Sequence, residues 1–251
     1  MDNQLQALRS SVDHLRDVVA RIDASKFEAS AYPTKWSIAD VLSHIGSSAV
    51  ILRHRVEDIV AGKESDDSFN QSVWDEWNAK PPAAQVADAL VADAALLECF
   101  ESLSDEQRDG FKFQMGPMNL DFSDLVGLRV NEHVLHTWDV AVALDPAATL
   151  PVNEAGVVVD SLAMIVMFTG KPSGQTRVWH VRTTDPSHDF SLSFGPESVG
   201  LSSGHPDGAV DLELPAESFA RLVVGRLDPD HTPTSIESND LDELRKAFPG
   251  I

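Results

Sequence analysis

Apolar residues recur at helical spacing in four stretches of the first half of the chain, which predicts four helices. In the second stretch, Ser37 and Asp40 suit the N-cap and N3 positions of a helix start. The connection that carries Trp74 and Trp77 is longer than an up-and-down bundle needs, so we expect a flap or wall there. The four stretches are Leu5 to Ile22, Ile38 to Ile59, about Ala83 to Leu103, and Leu120 to Leu144.

The pattern changes near Asp145-Pro146, where long helical stretches give way to short segments separated by glycine, proline and aspartate. A helix is expected from Asn153 to Phe168, followed by strands and two further helices. The strands are expected at 176–183, 190–194 and 209–214, and the helices at 216–226 and 241–248. The sequence therefore predicts an all-α four-helix bundle over residues 1–148, followed by a small α+β domain over residues 149–251.

The charge balance restricts the class of partner. The formal net charge is −21, from 40 acidic and 19 basic residues, and no run of lysine or arginine offers a footprint for nucleic acid or anionic lipid. A single cysteine, Cys99, is typical of a reducing compartment. The amino terminus lacks the pattern of a signal peptide, and the apolar run Leu162 to Phe168 is far shorter than a membrane span. We expect a soluble, cytoplasmic protein without nucleic-acid or membrane partners.

A carboxylate and an imidazole one helical turn apart, Glu132 and His136, are the most informative chemical feature. At 100° per residue both lie within the arc of Leu125, Leu135 and Val142, which predicts that they share the buried stripe of the helix. Charged residues rarely lie unpaired there, and side chains one turn apart can converge on a single ion. The pattern therefore indicates a metal site, and the alternative is a Glu–His pair that bridges helices or lies at a water-filled bundle end.

His44 is the best candidate for a third ligand. It projects about 90° from the centre of the apolar stripe of its helix, among polar neighbours such as Asp40 and Ser48. Two histidines and one carboxylate leave a coordination position for water or substrate, as catalytic zinc sites require, whereas closed structural zinc sites favour cysteines. Asp40 precedes His44 by one turn and Asp139 follows His136 by three residues, so either carboxylate can orient an imidazole through a hydrogen bond.

Two further residues lie near this pair. His133 projects about 100° away from Glu132, and we expect it at the surface or in the outer surroundings of the site. Arg129 lies on the flank of the Glu132 face, one turn before His133. It is expected either to meet an anionic substrate or to pair with an acid.

Two segments resemble the signature of the mycothiol-dependent maleylpyruvate isomerase family, within the wider DinB-like helical superfamily. They are Trp36-Ser37-Ile38-Ala39-Asp40-Val41-Leu42-Ser43-His44 and Arg129-Val130-Asn131-Glu132-His133-Val134-Leu135-His136-Thr137-Trp138-Asp139. The resemblance implies that His44, Glu132 and His136 bind a divalent ion, usually zinc. Relatives on the DinB and bacillithiol side typically carry histidine at the position of Glu132, so the glutamate favours the mycothiol branch.

The resemblance extends into the second half. Residues Val210 to Arg226 resemble a strand, a helix and a terminal Gly-Arg of the family's carboxy-terminal domain, which is similar to sterol-carrier folds. By this position, Arg226 is the first candidate to contact a carboxylate of the substrate, and Arg129 is the second.

The implied activity is that of a zinc-dependent enzyme that uses mycothiol. Its metal-bound thiolate would add to an electrophilic small molecule, in either cis–trans isomerisation or S-transfer. Two alternatives stay open. One is a non-catalytic protein that binds a metal or an apolar ligand, which a metal position sealed from solvent would favour. The other is metal-assisted hydrolysis without a thiol.

Overall fold

The computed structural model describes residues 2–250 except 34, 65, 67, 117, 175, 205–207 and 237–240. The chain divides into two compact units, Met1–Ala148 and Thr149–Ile251. Long helices make up most of the first unit, and the second contains a small sheet with helices. The expected order, a helical part followed by a part with a sheet, is therefore confirmed.

The first unit is built on long helices that pack side by side. Helix α2 packs against α4 and α1 against α6, while α1 also contacts α4 and α2 also contacts α6. The two candidate ligand helices, α2 and α6, are therefore neighbours. The elements are α1 (Asp2–Val19), α2 (Ile38–Val60), α3 (Ser68–Asn78), α4 (Pro82–Ser102), α5 (Asp105–Asp109), β1 (Phe113–Met115), β2 (Met118–Leu120) and α6 (Phe122–Ala141).

Both of these helices start at a capping box, which fixes where each one begins. The Ser37 hydroxyl accepts from the Asp40 backbone N–H at 3.1 Å, and the Asp40 carboxylate accepts from the Ser37 N–H at 2.8 Å. Asp121 and Asp124 make the same reciprocal pair at the start of α6. The box expected for α2 is confirmed. Each cap contributes about 1 kcal/mol.

The connection with the two tryptophans is a helix, not the expected flap or wall. Helix α3 buries Trp77, which is 3% exposed, while Trp74 stays 45% exposed. The Trp77 ring packs over Gly46 on α2, where a Cβ atom would collide with it. The indole therefore occupies space that the missing side chain of Gly46 leaves free, and α3 joins the core beside α2.

The second unit combines one mixed sheet with four helices among its described residues. The sheet order is β5-β4-β3-β6, with β3 and β6 parallel and the other pairs antiparallel. Strand β5 was not predicted, and the helix expected over 216–226 ends earlier, at Val223. The elements are α7 (Val152–Asp160), α8 (Leu162–Thr169), β3 (Arg177–Thr184), β4 (His188–Phe194), β5 (Val199–Ser203), β6 (Leu212–Pro215), α9 (Ala216–Val223) and α10 (Leu241–Ala247).

The apolar stretch 153–168 forms two helices where one was expected. Helices α7 and α8 are bent by 67° at Ser161, whose hydroxyl donates to the carbonyl of Val158 at 2.9 Å. This side-chain bond to the preceding turn satisfies a carbonyl at the end of α7. Across the described ranges, no single helix is long and apolar enough to span a membrane, and this bent pair meets the criteria of length and composition only when both helices are combined.

Candidate metal centre

The structure brings together the three side chains that the sequence singled out. His44 projects from α2, and Glu132 and His136 project from α6. The Nε2 atoms of His44 and His136 lie 3.1 Å and 3.6 Å from Oε2 of Glu132. One ligand atom from each residue lies within 4.8 Å of the others. Ligand atoms around a tetrahedral zinc ion, with bonds of about 2.0–2.1 Å, lie about 3.3 Å apart, so the cluster matches the size of one ion.

Asp139 determines how His136 faces the cluster. Its buried carboxylate accepts a hydrogen bond from Nδ1 of His136 at 2.8 Å. When Nδ1 carries the hydrogen, Nε2 of a neutral imidazole presents a lone pair to Glu132. A lone pair and a carboxylate oxygen repel each other unless a positive charge lies between them, either a proton or a metal ion. The donor set therefore suits a cation, and a carboxylate on the far nitrogen is the usual support of a metal-binding histidine.

The second carboxylate considered for this role, Asp40, has a different function. Its oxygen accepts from both the backbone and the hydroxyl of Ser37, so it caps α2. His44 is instead bordered by aromatic rings. The ring centroid of Trp36 lies 5.3 Å from that of His44 and 6.0 Å from that of His136. Trp36 thus borders both imidazoles, a role that its place in the sequence motif did not specify.

The cluster is open to solvent, which corrects the prediction that Glu132 lies on a buried stripe. The Glu132 side chain is 57% exposed, against 35% for His44 and 13% for His136. Most residues of α6 are buried, on both sides of the arc marked by its leucines. The helix is packed nearly all round and Glu132 points out of the packed faces. A molecule from solvent can therefore reach the carboxylate.

The electrostatics of the cluster keep Glu132 ionised. Neighbouring atoms displace part of the hydration of its carboxylate, which raises the pKa. Hydrogen bonds and positive charge from His136 and His44 outweigh this effect and hold the pKa of Glu132 well below its ordinary value. A metal ligand of this type must be deprotonated, so the carboxylate is ready to bind at neutral pH.

Arg129 and His133 lie in a buried polar network on another side of α6. Asp93 of α4 accepts from Nη2 of Arg129 at 2.8 Å and from Nε2 of His133 at 2.6 Å. The Ser11 hydroxyl of α1 bonds Nδ1 of His133 at 2.7 Å. Of the two positions expected for His133, the surface is wrong, because the residue is fully buried. For Arg129, the contacts favour the second expectation, pairing with an acid, since a guanidinium that is 3% exposed cannot meet a substrate while it holds this pair.

This network has the residue types of a nucleophilic triad but not its accessibility. Ser11, His133 and Asp93 are 3%, 0% and 2% exposed, so a substrate cannot approach the serine hydroxyl. Burial lowers the pKa of His133. A neutral ring that donates Nε2–H to Asp93 and accepts from Ser11 satisfies both of these contacts. The three side chains therefore act as a structural unit that joins three helices.

Asp93 makes the stability of the first unit depend on pH. Burial raises its pKa, but the charges and hydrogen bonds of His133 and Arg129 outweigh burial and lower the pKa to about 2. The guanidinium of Arg129 bonds the same carboxylate, so Asp93 has a cationic partner even when His133 is neutral. Stability from this group is present above its unfolded pKa of 3.8 and is lost as the pH falls through about 2.

We therefore expect the free energy of unfolding of the wild type to fall more steeply in acid than that of Asp93→Asn. The difference between the two proteins should shrink by about 2 kcal/mol between about pH 5 and pH 2. Urea unfolding curves recorded by circular dichroism at each pH measure this difference. Parallel pH profiles for the two proteins would contradict the assignment of a depressed pKa to Asp93.

Arg226 lies in the second unit, on the turn after α9. Gly225 before it has a φ of +71°, which favours glycine, and lies against the backbone of Gly250. The buried guanidinium of Arg221 donates to the Arg226 carbonyl at 3.3 Å, and Arg245 donates to the Leu227 carbonyl at 2.7 Å. The Arg226 side chain is partly exposed on a turn that is held on both sides. Its role toward a substrate stays a prediction.

Comparison with known families places this cluster in context. The model described as the mycothiol maleylpyruvate isomerase N-terminal domain matches residues 8–141, more than half of the chain. The chain belongs to this family. The matched range contains His44, Glu132 and His136, and the resemblance expected from the two sequence segments is confirmed.

Two solved structures of this family resemble the chain over nearly its whole length. They are crystal structures of mycothiol-dependent maleylpyruvate isomerase and of a mutant with one histidine replaced by alanine. Each is 15% identical, has a TM-score of 0.64, and aligns over 90% of this chain and 89% of the other chain. At this identity the likeness establishes a shared fold. No curated protein sequence matches the chain significantly.

Proposed function

We propose that this protein is a zinc-dependent enzyme that uses mycothiol to isomerise maleylpyruvate or a closely related cis-unsaturated acid. The observation that carries the proposal is the cluster of His44, Glu132 and His136, whose ligand atoms lie within 4.8 Å of one another inside the family match. The proposal includes a DinB-like four-helix bundle of α1, α2, α4 and α6, supported by the packing of α2 on α4 and α1 on α6. It also includes a sterol-carrier-like second domain.

The charge of the ligand set suits a thiolate. Two neutral imidazoles and one carboxylate reduce the charge of a divalent zinc ion to +1, which one anionic sulfur neutralises. Three protein ligands also leave a tetrahedral site one position short. When bound, zinc and mycothiol supply a nucleophilic thiolate, whose reversible addition to a cis double bond permits rotation to the trans form. Glu132 supplies the negative charge, and Asp139 fixes the imidazole of His136.

Solvent access distinguishes this proposal from a non-catalytic protein. A sealed metal position would favour sensing or ligand storage, but the Glu132 side chain is 57% exposed. A thiol cofactor and an electrophile both need such access. The remaining alternative, hydrolysis by metal-activated water, uses the same open position and is separated from isomerisation by whether turnover requires a thiol.

Arg226 is our candidate for binding a substrate carboxylate. We expect Arg226→Ala to lower kcat/KM by about 10- to 100-fold, because a charge-assisted hydrogen bond contributes about 1.5–3 kcal/mol. Zinc affinity should not change. The kcat/KM of Arg226→Lys should lie between the values of the wild type and Arg226→Ala, because lysine keeps the charge without the planar pair of donors. Steady-state kinetics together with metal titration measure both effects, and an unchanged kcat/KM in Arg226→Ala would remove this residue from the proposal.

The proposal is tested with purified full-length protein, maleylpyruvate and mycothiol. Conversion to the trans isomer, followed by absorbance and chromatography, should require both mycothiol and metal. A chelator should abolish turnover and added zinc should restore it, while glutathione in place of mycothiol should give much less. Release of a stable thioether product would assign S-transfer in place of isomerisation. Turnover without thiol, or no turnover by zinc-loaded protein, would overturn the proposal.

A further inference from the structure

A second set of contacts joins the two helices of the cluster. The guanidinium of Arg129, on α6, donates through Nη2 to the backbone carbonyl of Ile45 at 3.1 Å. Ile45 directly follows His44 on α2. The same nitrogen donates to Asp93 on α4 at 2.8 Å. One buried side chain therefore connects the turn of α2 that carries His44 to α6 and to a third helix.

Asp93 contacts α6 at two points that are one turn apart. Its two oxygens accept from Arg129 and from His133, which lie four residues apart. Glu132 follows Arg129 by three residues and His136 follows His133 by three, so each ligand lies about 60° around the helix from a residue that Asp93 holds. Two contacts one above the other oppose sliding and tilting of α6. Because the same two side chains also bond the Ile45 carbonyl of α2 and the Ser11 hydroxyl of α1, α6 is held from three helices at once, which opposes rotation about its axis.

The rotation of α6 decides whether the ligands meet. Side-chain ends lie about 5–6 Å from a helix axis, so a rotation of about 10° moves them by about 1 Å. Metal–ligand distances must hold to within about 0.2 Å of their ordinary values. Apolar side chains with the volume of Asp93 and Arg129 would join the helices about as firmly, because replacing buried ion pairs by apolar residues is often neutral or stabilising. Hydrogen bonds are directional and apolar contacts are not, so the polar contacts also define the orientation of the helices.

We infer that Asp93 and Arg129 are positioning residues of the candidate metal centre, which hold the His44 and Glu132 helices in the relative rotation that one ion requires. The inference rests on the proposed function, since it presupposes that the cluster binds a divalent ion. Neither residue belongs to the proposed ligand set. Asp93 and Arg129 act through α6 and through the Ile45 carbonyl, and Asp93 also neutralises the buried guanidinium.

The test compares metal binding in wild-type protein, Asp93→Asn and Arg129→Lys. Asparagine keeps the shape of the acid but removes the charge that holds Arg129. Lysine keeps the positive charge, so Asp93 stays paired, but its shorter side chain does not place a nitrogen at the position of Nη2, from which Arg129 reaches Asp93 and the Ile45 carbonyl together. Zinc affinity is measured by competition with a chelator, and the visible spectrum of Co²⁺-loaded protein reports the coordination geometry. We expect both variants to bind zinc about 10-fold more weakly or worse and to show altered Co²⁺ bands.

Gln85→Met provides a matched control for loss of a buried polar contact. Gln85 lies on the same helix as Asp93, is 7% exposed, and donates to the Trp77 carbonyl rather than to α6. This variant should lower the melting temperature while its zinc affinity and Co²⁺ spectrum stay those of the wild type.

The outcomes separate the inference from the function on which it rests. Wild-type protein that binds neither zinc nor Co²⁺ would refute the proposed function. Wild-type binding together with folded Asp93→Asn and Arg129→Lys proteins that match it within about twofold, with the same Co²⁺ spectrum, would overturn the positioning role alone. If Asp93→Asn does not fold, judged by circular dichroism, Arg129→Lys decides, since it leaves no unpaired buried charge.

Discussion

Replacing His44 with alanine is expected to weaken zinc binding by at least about 100-fold and to reduce mycothiol-dependent turnover to background. Loss of a direct ligand should exceed the 10- to 100-fold effect of removing a residue that only supports one. Glu132 and His136 would remain, but two ligands from one helix leave half of a tetrahedral shell to water. The effect should fall on metal content and on kcat together, because in the proposed mechanism the bound metal activates the thiol.

His54→Ala is the matched control for this experiment. His54 lies on the same helix, pairs with Asp58 at 3.3 Å and stacks on Phe69 with ring centroids 3.8 Å apart. Its removal deletes an imidazole from α2 without touching the cluster, so zinc affinity should be unchanged. Equal zinc affinity in wild type and His44→Ala, measured by chelator competition, would show that the ion binds elsewhere.

Gly46→Ala should be the most damaging single-methyl change in the first unit. The added Cβ would lie 2.8 Å from Cα of Ala89 on α4, and closer still to the ring of Trp77. Neither the backbone of a packed helix nor a buried indole can withdraw easily, and overpacking of this kind costs about 3 kcal/mol. We expect that loss in the free energy of unfolding by urea. Because Gly46 lies two residues after His44, we also expect weaker zinc binding.

Gly127→Ala separates this clash from the general effect of adding a methyl group to a helix. Gly127 lies in α6, and its added Cβ would meet only the end of the flexible Gln4 side chain, at 3.1 Å. Alanine is preferred over glycine in helices by about 1 kcal/mol, so this variant should be as stable as the wild type or more stable. If Gly46→Ala were equally stable, Trp77 could not be packed over that position as the structure has it.

Local sequence rules account well for the helices that carry the cluster. The capping box at Ser37 and Asp40 fixes the start of α2, and periodic apolar residues give the extent of the longest helices to within a few residues. The spacing of one helical turn predicted that the side chains of Glu132 and His136 lie close together. His44 lies 88 residues earlier than Glu132, a separation at which one-helix patterns say nothing about contact. The polar setting of His44 and the family motif supplied that link.

Burial was harder to predict, because it depends on how many neighbours a helix has. α6 is packed nearly all round, so its leucine stripe does not mark its only buried face. Glu132 was therefore expected inside and is exposed, while His133, expected at the surface or in the outer surroundings of the site, is fully buried. The partners that make burial of His133 possible are Ser11 and Asp93, which come from two other helices.

Three local features of the fold were also missed. In α3, Phe69, Val73 and Trp77 recur every four residues, so a helical pattern was present there that the expectation of a flap or wall overlooked. The five-residue strand β5 contains Gly200 and ends in serines, which gives it little strand signal. The bend between α7 and α8 depends on the local hydrogen bonds of Ser161, within an otherwise apolar stretch.

X-ray absorption of zinc-loaded protein, with and without mycothiol, identifies the atoms that surround the metal. Without the thiol, we expect only nitrogen and oxygen neighbours at about 2.0–2.1 Å, including two imidazoles. With mycothiol, one sulfur at about 2.3 Å should enter the zinc shell. A spectrum without imidazole scattering, or one that gains no sulfur neighbour at saturating mycothiol, would contradict an open His44–Glu132–His136 centre that binds the thiol.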